Sequence, residues 1–231
     1  FGAGVNLGIR APGSFDYVAL VNPDAYVRSG WLQPLVEEME KNSKVGATSP
    51  KILFAGEKSV INLKTLDPVP IKGKDTRVLG VRLVNSRILS SGSLTEVEPK
   101  FTLGMGWYGL EESLGKERFA FWSKEKASIV VDIRGLNEPR IYLQMKRKQS
   151  AFVILESGSQ KIELTVGPRP VWVQFELENN CPAIIQNVGS GINRRGHGAD
   201  RGFWEFDEGQ HDEPGQVFAW CGGAVLLRSS Y

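Results

Sequence analysis

The sequence predicts an α/β + β chain, in which a discontinuous α/β domain assembled from the two ends is interrupted by an antiparallel β-sandwich. Three features carry this reading. Residues 1–55 run from a buried-strand pattern through a helical repeat to further strand signals. The middle of the chain alternates with period two and shows no convincing helix. A buried-strand pattern then returns near the end.

Taken in order, Asp16-Tyr-Val-Ala-Leu-Val21 is continuous and apolar, as expected of a strand covered on both faces. Asn22-Pro23-Asp24 stops it, since proline cannot donate to a sheet ladder. Ser29 is placed to cap the helix that follows. Leu32, Leu35, Val36 and Met39 repeat at helical spacing there, with Glu37, Glu38 and Lys41 facing water. Val45 to Thr48 and Lys51 to Phe54 read as short strands around Pro50. Residues 56–80 carry scattered Lys, Asp and Pro and read as a connection.

Farther on, Ile141, Leu143 and Met145 alternate with Tyr142, Gln144 and Lys146. Ile162, Leu164 and Val166 alternate with Lys161, Glu163 and Thr165, and Val171, Val173 and Phe175 with Trp172, Gln174 and Glu176. Turn signals between these runs complete the pattern of a sandwich. The Gly- and charge-rich segment 188–216 reads as a long surface loop. Val217–Cys221 and Ala224–Leu227 read as buried strands, with residues 55 and 217 expected as neighbours in one sheet. The resulting division is 1–60 and 187–231 for the α/β domain, 61–84 for the connection and 85–186 for the inserted sandwich. The insert is long enough for its own core, and residues 85–187 are expected to fold alone.

Lys plus Arg number 28 and Asp plus Glu 26, a net charge of +2 that argues against a dedicated nucleic-acid binder or polybasic membrane clamp. No apolar run is long enough to span a bilayer, and no charged leader precedes an apolar stretch. Two cysteines, Cys181 and Cys221, are too few for a disulfide framework and fit a reducing, cytoplasmic compartment, with membrane association left open for the full-length protein. One bridge between them also remains open. The start at Phe1 and the stop at Tyr231 after an apolar run read as those of a fragment.

Five places offer chemistry. Asn22-Pro23-Asp24 sits at the carboxyl end of a strand, where a carboxylate can hold a divalent cation against a pyrophosphate; on spacing alone a plain turn is the readier reading. In FGAGVNLGIRAPG, Asn6 offers a donor and an acceptor and the glycines allow close approach, yet the spacing is not that of a phosphate cradle. The alternative is a helix from Ala3 packing through Val5, Leu7 and Ile9. Gly222 and Gly223, after Trp220-Cys221, leave room for a ligand or mark a bulge. His197, Asp200, Asp207, His211 and Asp212 match no strong zinc spacing and read as a solvated acidic loop. Trp107, Tyr108, Glu111, Glu112, Arg118 and Trp122 combine aromatic faces with carboxylates, which suits sugar rings, or else form an aromatic core with a salt-bridged rim.

In sequence order, FGAGVNLGI, DYVALVNPDAYV and GWLQPLVEEMEKNSKVGATSPKILF, then GADRGFWEFDEGQHDEPGQVFAWCGGAVLLRSSY, resemble a family-2 glycosyltransferase of the rhamnosyltransferase-like kind. The likeness covers residues 1–55 and 187–231. It implies a Rossmann-like A-type fold and inverting sugar transfer from a nucleotide-sugar donor with Mg²⁺ or Mn²⁺. The acceptor would be a glycan or lipid-linked hydroxyl, as in bacterial cell-wall polysaccharide synthesis. By the same likeness Asp24 coordinates the metal, Asn22 stands where the family has its first acid and hydrogen-bonds the donor, and Asn6 helps build the donor pocket. Gly222 and Gly223 shape the acceptor side. The strand that grips the nucleotide base is expected before Phe1 and the catalytic base after Tyr231, so the chain alone is expected not to turn over donor. Two rivals stand beside this. One is a carbohydrate-binding sandwich acting through Trp107, Tyr108 and Trp122, and the other a purely structural insertion.

Overall fold

The computed structural model describes residues 2–10, 13–71, 75–91, 93–97, 101–112 and 117–230. Phe1, Ala11, Pro12 and Tyr231, which belong to the sequence readings above, lie outside the described residues. Along the chain run α1 (Gly2–Ile9), β1 (Tyr17–Val21), α2 (Leu32–Lys41), β2 (Ala47–Thr48) and β3 (Ile52–Leu53). The middle holds β4 (Lys58–Thr65), β5 (Val69–Pro70), β6 (Val78–Leu79), β7 (Arg82–Ser90), β8 (Ser93–Val97), β9 (Phe101–Leu103), β10 (Trp107–Leu110) and β11 (Phe121–Ser123). It continues with β12 (Lys126–Asp132), β13 (Arg140–Lys146), β14 (Ala151–Ser157), β15 (Gln160–Val166) and β16 (Val171–Glu176). The last stretch carries β17 (Ile185–Asn187), β18 (Ser190–Ile192), β19 (Gly198–Asp200) and β20 (Ala224–Arg228).

The chain divides into two compact units, Phe1–Phe54 with Pro182–Tyr231, and Ala55–Cys181. In the first, β20 lies between β1 and β2 and runs antiparallel to both, pairing Val21 with Ala224 and Ala47 with Leu227. Leu35 and Met39 of α2 bury against Leu226, with Tyr17, Trp31, Val36 and Val45 around them. The helix follows Trp31 with no side-chain cap, so Ser29 does not serve. Gly30, at φ 77°, makes the tight entry instead. β3 pairs with β17, and β18 with β19.

In the second unit one sheet has the order β10-β11-β7-β13-β16, with β8 on β7, and the other β15-β14-β4-β12-β9. Their inner faces share one core that includes Ile61, Leu83, Ile129, Ile141, Leu143, Met145, Leu155 and Phe175. Alternation explains the register: Ile141, Leu143 and Met145 are fully buried while Tyr142 and Gln144 between them are half-buried on the outer face.

An α/β, Rossmann-like A-type sheet is not what forms. The described residues hold twenty strands and two helices, and their strand pairings are antiparallel. Local pattern signals a strand but not its direction or its neighbours; those rested on the strand–helix–strand order and on what the resemblance implies. β1 is also not covered on both faces, since Val21 is 40% exposed. The connection expected over 61–84 contains most of β4, the middle strand of the five-stranded sheet, and the start of β7. The loop expected over 188–216 contains the β18–β19 hairpin. Val217–Cys221 is not a buried strand; Phe218 is 70% exposed.

Candidate functional site

The rim of the small sheet gathers four of the five residues proposed for donor, metal and acceptor contacts, all but Asn6. β1 ends at Val21, and the chain turns at once. Ala25 N–H donates to the Asn22 carbonyl at 3.0 Å, with Pro23 supplying the fixed φ favoured at the second turn position. Asn22 N–H donates to the Gly223 carbonyl at 3.0 Å. Thus the turn and the Gly222-Gly223 pair, remote in sequence, meet at one end of the β1–β20 ladder. A Cβ on Gly223 would lie 2.8 Å from Ile52 Cδ1, so glycine permits the approach of β3, whereas the space around Gly222 is open. Asp24 is exposed, and among the described residues its carboxylate has no hydrogen-bond or ion-pair partner.

Asn6 is placed on exposed α1, and no described hydrogen bond links its side chain to this rim. The helix that the alternative reading expected here is present, but Leu7 is 76% exposed and does not pack.

The acidic loop divides its residues among separate tasks. Lys51 donates to Asp207 at 2.7 Å and also to Asp212. Those hydrogen bonds outweigh the desolvation that would lower the Lys51 pKa, and the net effect raises it; the Lys51 ammonium holds the Asp207 carboxyl below its usual range. Asp200 accepts from Ser190 Oγ at 2.9 Å, and His211 Nε2 lies 3.5 Å from Glu205. His197 is exposed, its backbone N–H held by Asn193. Among the described residues no group of three or more His, Cys, Asp or Glu is arranged to hold a metal. Asp24 alone would offer a cation one carboxylate. That fits Mg²⁺ or Mn²⁺ only in the mode where phosphate oxygens and water complete the shell.

On the sandwich, Trp107 packs against the core and its Nε1–H donates to the Ser128 carbonyl at 2.7 Å. Tyr108 exchanges hydrogen bonds with the Val78 main chain, and its ring is covered by Arg77 at 5.4 Å and Lys124 at 5.6 Å. Trp122 donates to Glu111 Oε2 at 3.0 Å, and Glu111 Oε1 accepts from Arg77 at 2.6 Å. Glu112 is exposed and offers its carbonyl to Arg82, while the Arg118 N–H donates to the Val84 carbonyl. Tyr108, Glu111 and Trp122 are joined through Arg77, whereas Trp107 and Arg118 bond separately to main-chain carbonyls.

Sequence reasoning missed the Lys51 clamp, the ion group in which Glu117 meets Arg82 and Lys146, and the outer row of Asn85, Gln144 and Trp172. The last was signalled by the outward phase of β13 and β16. Cys181 and Cys221 are both free thiols, and burial pushes Cys181 up to about 11, so it stays protonated at neutral pH. Among the described residues no helix is long and apolar enough to cross a membrane. Family models, curated proteins and solved structures offer no match to this chain.

Proposed function

We propose that the chain belongs to a sugar-transferring enzyme that uses a nucleotide-sugar donor and a glycan or lipid-linked hydroxyl as acceptor. The resemblance of its two ends to family-2 glycosyltransferases motivates the reading. The observation that carries it is the Asn22–Gly223 hydrogen bond, which sets the donor-side turn beside the acceptor-side glycines with the Asp24 carboxylate free.

In such a transfer the acceptor oxygen attacks the anomeric carbon. The bond to the diphosphate oxygen breaks, and the acceptor proton passes to a carboxylate base. Asp24 would hold a divalent cation, which when bound neutralises the leaving diphosphate. The Asn22 side-chain amide hydrogen-bonds the donor. Gly222, with no neighbour within van der Waals reach of a Cβ, leaves the acceptor room to approach.

Calorimetric titration of the 231-residue chain with inorganic pyrophosphate, UDP, GDP and dTDP, with and without Mn²⁺, tests this, since the diphosphate rather than the base is what the Asp24 rim would meet. Metal-dependent binding of at least one diphosphate, weakened about tenfold or more by Asp24→Ala, is expected. Binding of none of them, or binding indifferent to Asp24→Ala, overturns the reading.

A further inference from the structure

The outer face of the six-stranded sheet carries a patch that this reading leaves unused. The register of β7, β13 and β16 sets Asn85, Gln144 and Trp172 in one row, and Arg87, Tyr142 and Gln174 in the next. All six occupy the outward phase, because Ile141, Leu143, Met145, Val173 and Phe175 between them are buried. Rows lie roughly 7 Å apart along the strands, and neighbours within a row roughly 5 Å apart.

The patch is held in place. The Arg87 guanidinium lies over one face of the Trp172 ring, 5.3 Å from its centre, and the residue as a whole stays 42% exposed. Asn85 Nδ2 donates to Gln144 Oε1 at 3.1 Å. That bond leaves each amide with further donor and acceptor capacity, and Gln174 is exposed beside them.

The charge pattern selects the occupant. Arg140 pairs with Glu176 at 3.7 Å, and Arg82 and Lys146 meet Glu117. A face of mixed, mutually answering charges lacks the one-signed field that a nucleic acid or polyanion requires. Its outward side chains are mostly polar, unlike the apolar centre of a protein interface. A flat aromatic ring beside planar amides complements a sugar instead, whose C–H face stacks while its hydroxyls both donate and accept.

We propose that this face of the sandwich binds neutral glycan chains, with Trp172 as the stacking platform and Asn85, Gln144 and Gln174 as the groups that read hydroxyls. The proposal is independent of sugar transfer at the Asn22–Gly223 rim. Because the platform is pre-ordered, little side-chain freedom is lost on binding.

Affinity electrophoresis of the full chain through gels holding glucan, mannan, galactan or xylan tests it, with polygalacturonate as the acidic comparison. At least one neutral polymer is expected to retard the protein. Trp172→Ala is expected to weaken that about tenfold, Gln144→Ala several-fold, Trp172→Phe to recover part, and Asp24→Ala to change nothing. Retardation by no neutral polymer, by polygalacturonate alone, or unaltered by Trp172→Ala overturns the proposal. A melting curve matching the parent checks each variant's fold, and Gln144→Ala decides alone should Trp172→Ala fail to fold. Loss of nucleotide binding with glycan binding intact sinks the transferase reading only.

Discussion

The Lys51 ammonium donates to the Asp207 carboxylate at 2.7 Å, tying the lead-in to β3 to the loop beyond β19. Asp212 shares the same cation, which keeps two carboxylates from facing each other uncompensated. Lys51 and Asp207 are both half-buried, at 20% and 16% side-chain exposure, whereas the Asp212 side chain is exposed. Lys51→Met is therefore expected to destabilise the first unit by about 1–2 kcal/mol. Hydrogen exchange of the Ile185 and Asp207 amides, both bonded across this region, reads the loss directly.

The same clamp sets a pH window. Asp207 is held below its ordinary 3.8 by the Lys51 hydrogen bond, so its contribution is present above that value and lost as acid carries it through the lowered pKa. Lys51 is raised above its ordinary 10.5, so its contribution is present below that value and lost as base carries it through the raised one. Exchange protection of this loop is expected to be flat through neutral pH and to fall at both extremes. In Lys51→Met the alkaline fall disappears.

Glu111 joins Trp122 to Arg77 through its two oxygens. Glu111→Ala is expected to cost about 1 kcal/mol, because both partners remain partly solvated. It also frees the Trp122 N–H, so tryptophan emission is expected to shift to longer wavelength with little change in melting temperature. A large loss of stability with unchanged emission contradicts this account.

Gly106, at φ 84°, is a position where glycine is required. A Cβ there would lie 1.9 Å from the Lys126 carbonyl oxygen, which is backbone at the start of β12, held in register with Lys64 of β4. Gly106→Ala is expected to destabilise the sandwich by about 2–4 kcal/mol in chemical denaturation. Gly109→Ala, with open space around it, is the matched control and is expected to be near neutral.

What the sequence revealed depended on how cleanly each strand alternates. β13 and β16 were legible because every second side chain is buried: Ile141, Leu143 and Met145 on one strand, Val173 and Phe175 on the other. β4 was not, because Ser59, Val60, Ile61 and Leu63 are all buried and break the period, while Lys58 and Lys64 at its ends suggest a linker. The turn at Asn22-Pro23-Asp24 was legible from turn chemistry and Gly223 from the glycine pair, but their bond to each other was not. A hydrogen bond between remote segments leaves no local pattern. Nothing in the spacing of Trp107 distinguished a core indole from an exposed one. The outcome rests on Ser128, whose carbonyl accepts the Nε1–H.

The misread strand yields the sharpest stability prediction. The second unit spans Ala55–Cys181, and β4 stands between β14 and β12, paired to both along much of its length. A piece covering 85–187 lacks β4 and the first residues of β7. It would leave β12 and β14 with unpaired inner edges and remove Ile61 and Leu63, both buried in the core. A piece covering 55–181 keeps both sheets complete. It is expected to melt cooperatively with dispersed amide resonances, while 85–187 shows neither. Cooperative melting of the shorter piece means that β4 is dispensable, and that the sheet order described here does not govern folding of the sandwich.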